Sequence, residues 1–238
     1  METYESFAAL LDRTSYQKPA LAMQTGDFVP SKGVLRKVNA DNQFKPFYGD
    51  TTVFDGENDV KAKVAAIQDT LYAQCPECFC ARLAPETTHM TLHDLNAAEQ
   101  LSEVAADTFD NEVKLLQICR EQRIPPQKIR MTTHYITDSV STSLVLSLLP
   151  ADETEWRKLQ QVFQVIETFN ILPHQLYPHI TLAYYNYNGF SKATADRLRQ
   201  VVFDLNQTGF DVILDTRRLY YQKFTDMNTY YNVFPLAK

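Results

Sequence analysis

Residues 85–95 read PETTHMTLHDL and residues 176–186 read LYPHITLAYYN. Each stretch holds a histidine, an apolar residue, a threonine and a leucine in the same order: His89-Met90-Thr91-Leu92 and His179-Ile180-Thr181-Leu182. In an extended strand, residues two apart share a face. His89 and Thr91 therefore face one way, with Met90 and Leu92 behind them. His179 and Thr181 repeat that arrangement in front of Ile180 and Leu182. The apolar pair anchors each strand in a core and leaves the imidazole and hydroxyl on the opposite side. One such alternation is ordinary in strands. Two copies among five histidines set these strands apart.

Working outward, residues 4–11 read as a short helix followed by a polar arm ending near Pro30. Residues 32–38 and 44–54 read as a strand pair around the turn Asn39-Ala40-Asp41-Asn42. Val60, Val64, Ile67 and Leu71 fall at helical spacing. The first phrase lies in a strand over about residues 87–95. A helix over about 99–123 then stops before Pro125-Pro126. The second half opens with a hairpin, 129–137 and 142–149, around a turn at Asp138-Ser139. Asp152, Glu153 and Glu155 sit in the first turn of a helix reaching about Asn170, where acids complement the helix dipole. The second phrase lies in a strand over 178–185. Ser191 is an N-cap candidate for a helix to about Leu205, and residues 210–221 and 230–234 finish as strands.

This order is strand, helix, strand, helix, then the same again with extra strands, and each half holds one copy of the phrase. It predicts an α+β architecture of two similar lobes. Residues 1–30 form an N-terminal helix and arm in this reading, and residues 31–238 a single bilobal domain.

Composition narrows the function. The chain has 238 residues, 45% apolar and 22% charged, near globular averages. It holds 6 glycines and neither GxGxxG nor GxxxxGK[ST], so dinucleotide-fold and P-loop readings drop out. The net charge of −6 points away from wrapping long RNA or DNA, whose binders present basic surfaces. A small nucleotide or short oligonucleotide needs only a few local cations. No apolar run is long enough for a membrane span. METYESFAALLDRTSY carries acids where an export signal has a basic start and an apolar run. The expectation is a cytoplasmic protein with Cys75, Cys78, Cys80 and Cys119 reduced. CPEC at 75–78 lacks a second CxxC and reads as buried or idle thiols.

If the lobes face each other, two imidazoles and two hydroxyls line one groove. That set suits attack on a phosphodiester. A neutral imidazole takes a proton from water while a protonated one gives a proton to the leaving alkoxide. Histidine titrates near pH ~6.5, so both forms are accessible. Threonine hydroxyls can donate to the non-bridging oxygens as charge builds there. No metal or other cofactor is required.

Paired H-apolar-[Thr/Ser]-apolar motifs, one per lobe, resemble the 2H phosphoesterase superfamily, which includes 2′-5′ RNA ligase-like proteins and cyclic nucleotide phosphodiesterases. Two flanking stretches resemble a less studied branch of it: GVLRKVNADNQFKPFYGDTTVF at 33–54 and FTDMNTYYNVFPL at 224–236. The resemblance spans most of the chain from about Gly33. It implies a bilobal fold in which two antiparallel sheets flank a central groove, with helices outside. It implies metal-independent action on 2′,3′-cyclic phosphates or on 2′-5′ or other cyclic diesters. His89 and His179 are then the catalytic pair, and Thr91 and Thr181 hold the phosphate. The alternative is a non-catalytic nucleotide or RNA-end binding module of the same fold.

Further candidates follow from parity. Tyr185 and Tyr187 continue the face of His179 and Thr181 and are candidates for stacking a base. His134 has ambiguous parity and is a candidate for the groove. Arg217, Arg218 and Lys223 are candidate phosphate cations, with at most one of Arg217 and Arg218 pointing inward. His93 shares the parity of His89 and reads as a solvated strand-end residue. Read as a helix, His89 and His93 would make an i, i+4 metal pair, but the glutamate of HExxH is missing.

Overall fold

In the computed structural model, which describes residues 3–17 and 26–237, eight strands form one antiparallel sheet. They are β1 (Tyr48–Asp55), β2 (His89–Ala98), β3 (Lys128–Ser139), β4 (Ser143–Pro150), β5 (His179–Tyr184), β6 (Asp211–Asp215), β7 (Leu219–Asp226) and β8 (Thr229–Pro235). Their order is β6-β3-β4-β5-β2-β1-β7-β8, so the two strands with the repeated phrase are central neighbours. A single register pair, Met90 opposite Ile180, joins them. The two expected sheets are thus two four-stranded halves that meet along this seam.

Helices α1 (Tyr4–Gln17), α2 (Lys32–Leu35), α3 (Asn58–Gln74), α4 (Leu101–Arg120), α5 (Glu153–Glu167) and α6 (Lys192–Leu205) complete the α+β fold. Helix α3 buries Val60, Val64, Gln68 and Leu71, a stripe at three- and four-residue spacing. Helix α5 buries Trp156, Leu159, Val162, Phe163 and Ile166. Its N-cap Asp152 accepts from the Glu155 amide at 3.0 Å, and Ser191 caps α6 through the Thr194 amide. Met90, Leu92, Ile180 and Leu182 all lie in the shared core. In α1, Phe7 and Leu11 pack on Trp156 as a small separate cluster. The arm expected after this helix lies partly outside the described residues. No described helix is long and apolar enough to cross a membrane.

Two expected strands differ. Residues 32–35 form a helical turn because the Ser31 hydroxyl accepts from the Gly33 amide at 3.2 Å. Asn39 Oδ1 then accepts from the amides of Asp41 and Gln43, leaving one bridge, Val38 to Phe44, where a strand pair was expected. The single strand expected over 210–221 is two strands in different halves of the sheet. Asp215 Oδ1 accepts from the Arg217 amide at 2.9 Å and sets a 3₁₀ turn, Thr216–Arg218, between β6 and β7. The β3–β4 turn also sits later than expected, with Val140 at φ 45° and Ser141 at φ 55°.

Bulges govern what faces the open side of the sheet. Thr52 pairs with His93 and Val53 with Thr91, so Leu92 is an extra residue in β2. Leu144 pairs with Ala183 and Val145 with Thr181, so Leu182 is an extra residue in β5. The bulge falls on the same leucine in both copies of the phrase. A bulge reverses the alternation beyond it.

Candidate active site

A cavity of about 650 Å³ spans the seam, lined by His89 and Thr91 from β2 and His179 and Thr181 from β5. Extending the antiparallel register one step each way from Met90–Ile180 sets His89 against Thr181 and Thr91 against His179. The two phrases are thereby related by a local two-fold axis. The histidines are diagonal neighbours, a relation that separates positions by roughly 7–8 Å in an antiparallel pair.

Each ring is oriented in the same way. His89 Nδ1 lies 2.6 Å from the carbonyl of Thr87, and His179 Nδ1 lies 2.7 Å from the carbonyl of Tyr177. A carbonyl only accepts, so each Nδ1 carries the hydrogen and donates it. The lone pair of each neutral imidazole is therefore on Nε2. An aromatic flanks each ring: Tyr230 at 5.0 Å from His89 and Tyr177 at 5.7 Å from His179, between centroids.

Both rings are recessed, and desolvation favours their neutral forms. Burial pushes His89 down to about 4, aided by the His179 ring and opposed by the Thr87 carbonyl, Asp55 and Asp94. Burial also lowers His179, aided by Lys37 and opposed by the Tyr177 carbonyl and Asp94. An anionic ligand between the rings opposes this depression and draws a proton onto one of them.

Lys37 and Asp94 line the same cavity. The Lys37 ammonium sits 5.2 Å from the ring centroids of both Phe47 and Tyr184, a cation–π clamp. It has no ion-pair partner among the described residues. Asp94 reaches the groove because the Leu92 bulge turns it there, and among the described residues its carboxylate has no hydrogen-bond or ion-pair partner.

The other candidates lie elsewhere. Beyond the Leu92 bulge, His93 points into the core, fully buried, with Nε2 2.7 Å from Glu167 Oε2 and its ring against Phe163. It is neither solvated nor on the same side as His89, so the two cannot share a metal ion. Beyond the Leu182 bulge, Tyr185 is buried among Phe28, Phe79 and Phe190, and Tyr184 takes the place in the groove. Tyr187 packs against the core. His134 sits in a bulge of β3, with Nε2 2.8 Å from Asp12 of α1. Arg217 pairs with Asp215 at 2.6 Å, Arg218 with Asp55, and Lys223 with Glu112 at 2.6 Å, so none supplies the groove's cation.

Parity missed Lys37, Asp94, Tyr184 and Tyr230. The flanking stretches did carry a signal, because Lys37, Phe47 and Thr51 come from the first, and Phe224, Met227 and Tyr230 from the second. Gly49 of the first stretch explains part of it. A Cβ there would strike the Asn96 carbonyl and lie 2.5 Å from Phe224 Cζ, a groove residue. All four cysteines are buried free thiols. Among the described residues, no group of three or more His, Cys, Asp and Glu is arranged to hold a metal.

No family model matches the sequence, and no curated protein matches it. Among solved structures, ATU0111 of Agrobacterium tumefaciens str. C58, a conserved protein of unknown function, is similar with a TM-score of 0.63. That match covers 94% of this chain and 98% of the other at 13% identity. Apo LigT of E. coli is similar at a TM-score of 0.48 and 15% identity, covering 81% of this chain and 99% of LigT. LigT complexed with 3′-AMP gives 0.46 at 13% identity, covering 79% and 96%. The eight-stranded antiparallel sheet with outer helices is thus a fold that this chain shares with ATU0111.

Proposed function

We propose that this protein is a metal-independent phosphodiesterase acting on 2′,3′-cyclic phosphate, 2′-5′ or other cyclic nucleotide diesters. In this reading the phosphoryl group lies between His89 and His179. Nε2 of one imidazole removes a proton from water as the new P–O bond forms opposite the leaving oxygen. Nε2–H of the other gives its proton to that oxygen as the old P–O bond breaks. Thr91 and Thr181 donate hydrogen bonds to the non-bridging oxygens, and Lys37 offsets their charge.

The observation that carries this reading is the paired orientation of the imidazoles. Both Nδ1 atoms are held by a carbonyl two residues upstream, both Nε2 atoms remain for a ligand, and each histidine faces the other copy's threonine. Binding alone needs no such proton-transfer pair. Burial favours the neutral form of both rings, and the negative charge of a bound diester draws the acid's proton onto one of them from solvent.

Hydrolysis of 2′,3′-cyclic AMP by the wild type, His89→Ala and His179→Ala, with and without EDTA, tests the reading. Each variant is expected to lose roughly 10²–10⁴ in kcat. Both should still bind the nucleotide by calorimetry, and EDTA should change nothing. Turnover that survives both substitutions overturns the mechanism. A wild type that binds diesters of this class and hydrolyses none is the binding module instead.

A further inference from the structure

Of the three histidines on β2 and β5, His93 alone faces away from the groove, and its ring is fully buried. The proposed reaction leaves it unused, yet both of its nitrogens are engaged. Nδ1 lies 2.7 Å from the Asp94 carbonyl, and Nε2 lies 2.7 Å from Oε2 of Glu167, the last residue of α5. A carbonyl only accepts, so Nδ1 carries a hydrogen. The Nε2 contact then needs a further proton, held between ring and carboxyl. Thr51 of β1 donates to the His93 carbonyl at 3.0 Å and fixes the backbone behind the ring. The other oxygen of Glu167 accepts from the Leu172 amide at 3.1 Å. Asn170 Nδ2 reaches back to the carbonyls of Asp94 and Leu95, 3.3 Å from each. This loop, residues 168–178, leads directly into β5 at His179. Its Leu172, His174 and Tyr177 wall the groove, and the Tyr177 carbonyl holds Nδ1 of His179. At the far end of the loop the Leu148 amide donates to the Pro178 carbonyl at 2.9 Å. The near end rests on Glu167 and Asn170. His89 is held by Thr87, outside this path.

We propose that His93 and Glu167 are positioning residues that act on His179 and not on His89. Their shared proton staples the loop to β2, and the stapled loop presents the Tyr177 carbonyl that fixes the tautomer and direction of His179. A loop tethered at its far end alone samples more conformations, and the carbonyl it carries spreads with them. The two groove histidines therefore depend on different parts of the molecule. His89 takes its orientation from the residues just before its own strand, and His179 takes part of its orientation from the opposite half of the sheet. The effect on rate rests on the phosphodiesterase reading, whereas the effect on the His179 tautomer does not. Glu167→Gln separates the staple from its charge. The glutamine amide donates to Nε2 of a neutral His93, and its oxygen still accepts from Leu172. Glu167→Ala makes neither contact.

Imidazole nitrogen NMR of the full chain tests this without relying on turnover, because the nitrogen shifts report the tautomer of each ring. The wild type is expected to show Nδ1–H on both His89 and His179. Glu167→Ala is expected to mix the Nε2–H tautomer into His179 and to leave His89 unchanged. Asn170→Ala, which cuts the neighbouring tether and removes no core side chain, is expected to move His179 in the same direction. Glu167→Gln should match the wild type. With 2′,3′-cyclic AMP, Glu167→Ala should lower kcat about tenfold and change KM less than about twofold, as misplacement of a reacting group implies. Glu167→Gln should restore kcat to within about twofold of the wild type. A His179 tautomer that neither alanine variant moves, an equal change at His89, or a glutamine variant that behaves as the alanine one overturns the positioning role. A wild type that hydrolyses no diester overturns the phosphodiesterase reading instead, and the tautomer comparison still decides this one.

Discussion

Met90 stands directly opposite Ile180, and this one pair joins the two four-stranded halves of the sheet. Both side chains are buried, while the histidine and threonine on either side of each face the groove. The seam that holds the halves together is thus the seam along which the candidate site is assembled. Beyond the repeated phrases, which residues reach it depends on where the pairing slips.

Lys37 and Asp94 act oppositely on the histidines. Lys37 lowers His179, and Asp94 raises both rings. Lys37→Gln is expected to raise the His179 pKa and to weaken inhibition by inorganic phosphate roughly tenfold, as loss of a hydrogen bond to a charged group implies. Asp94→Asn is expected to lower both histidines. Imidazole NMR titrations check both directions, and a shift of either sign opposite to these contradicts the electrostatic assignment.

Stability between about pH 4 and 6.5 carries two opposing contributions. His89 is pushed down to about 4, so over this window the unfolded chain binds the proton and the native ring does not. Its contribution rises with pH. Asp50 is pushed up to about 6, first by burial, against the hydrogen bonds of Asn111 and Tyr221. There the native carboxyl holds the proton that the unfolded one has released, so its contribution falls as pH rises. Asp50→Asn removes the second effect. Urea unfolding at about pH 4.5 and about pH 6.5 should show a steeper rise for the variant than for the wild type.

Gly49 leaves no space for a side chain between Asn96 and Phe224. Gly49→Ala is expected to cost about 1–3 kcal/mol, the range for overpacking. It also displaces Phe224, so phosphodiester binding should weaken along with stability. Thermal unfolding of the variant checks this, and an unchanged melting temperature would falsify it.

Val140 is a β-branched residue at φ 45°, in the left-handed region, and is 65% exposed. Little packing offsets the strain at this hairpin tip. Val140→Asn places a residue that tolerates this conformation and should stabilise the protein by about 1 kcal/mol. Calorimetric unfolding reads the gain, and a loss of stability counters the strain argument.

The chain's own pattern was enough for the α+β class, the hairpin, helix α5, the Ser191 cap of α6 and the facing of the four residues of the repeated phrase, though it read Asp152 as a first-turn acid where the structure makes it the N-cap. Those features are local: strand alternation places His89 with Thr91 and His179 with Thr181, and Asp152 and Ser191 cap their helices through nearby amides. Past each phrase, only the tertiary structure decided. The bulges at Leu92 and Leu182 arise from pairing with β1 and β4, partners far away in sequence, and they exchange His93 for Asp94 and Tyr185 for Tyr184. Lys37 likewise enters the groove through a turn and a cation–π clamp formed with distant rings. Alternation can be read from one strand, but its phase after a bulge belongs to two.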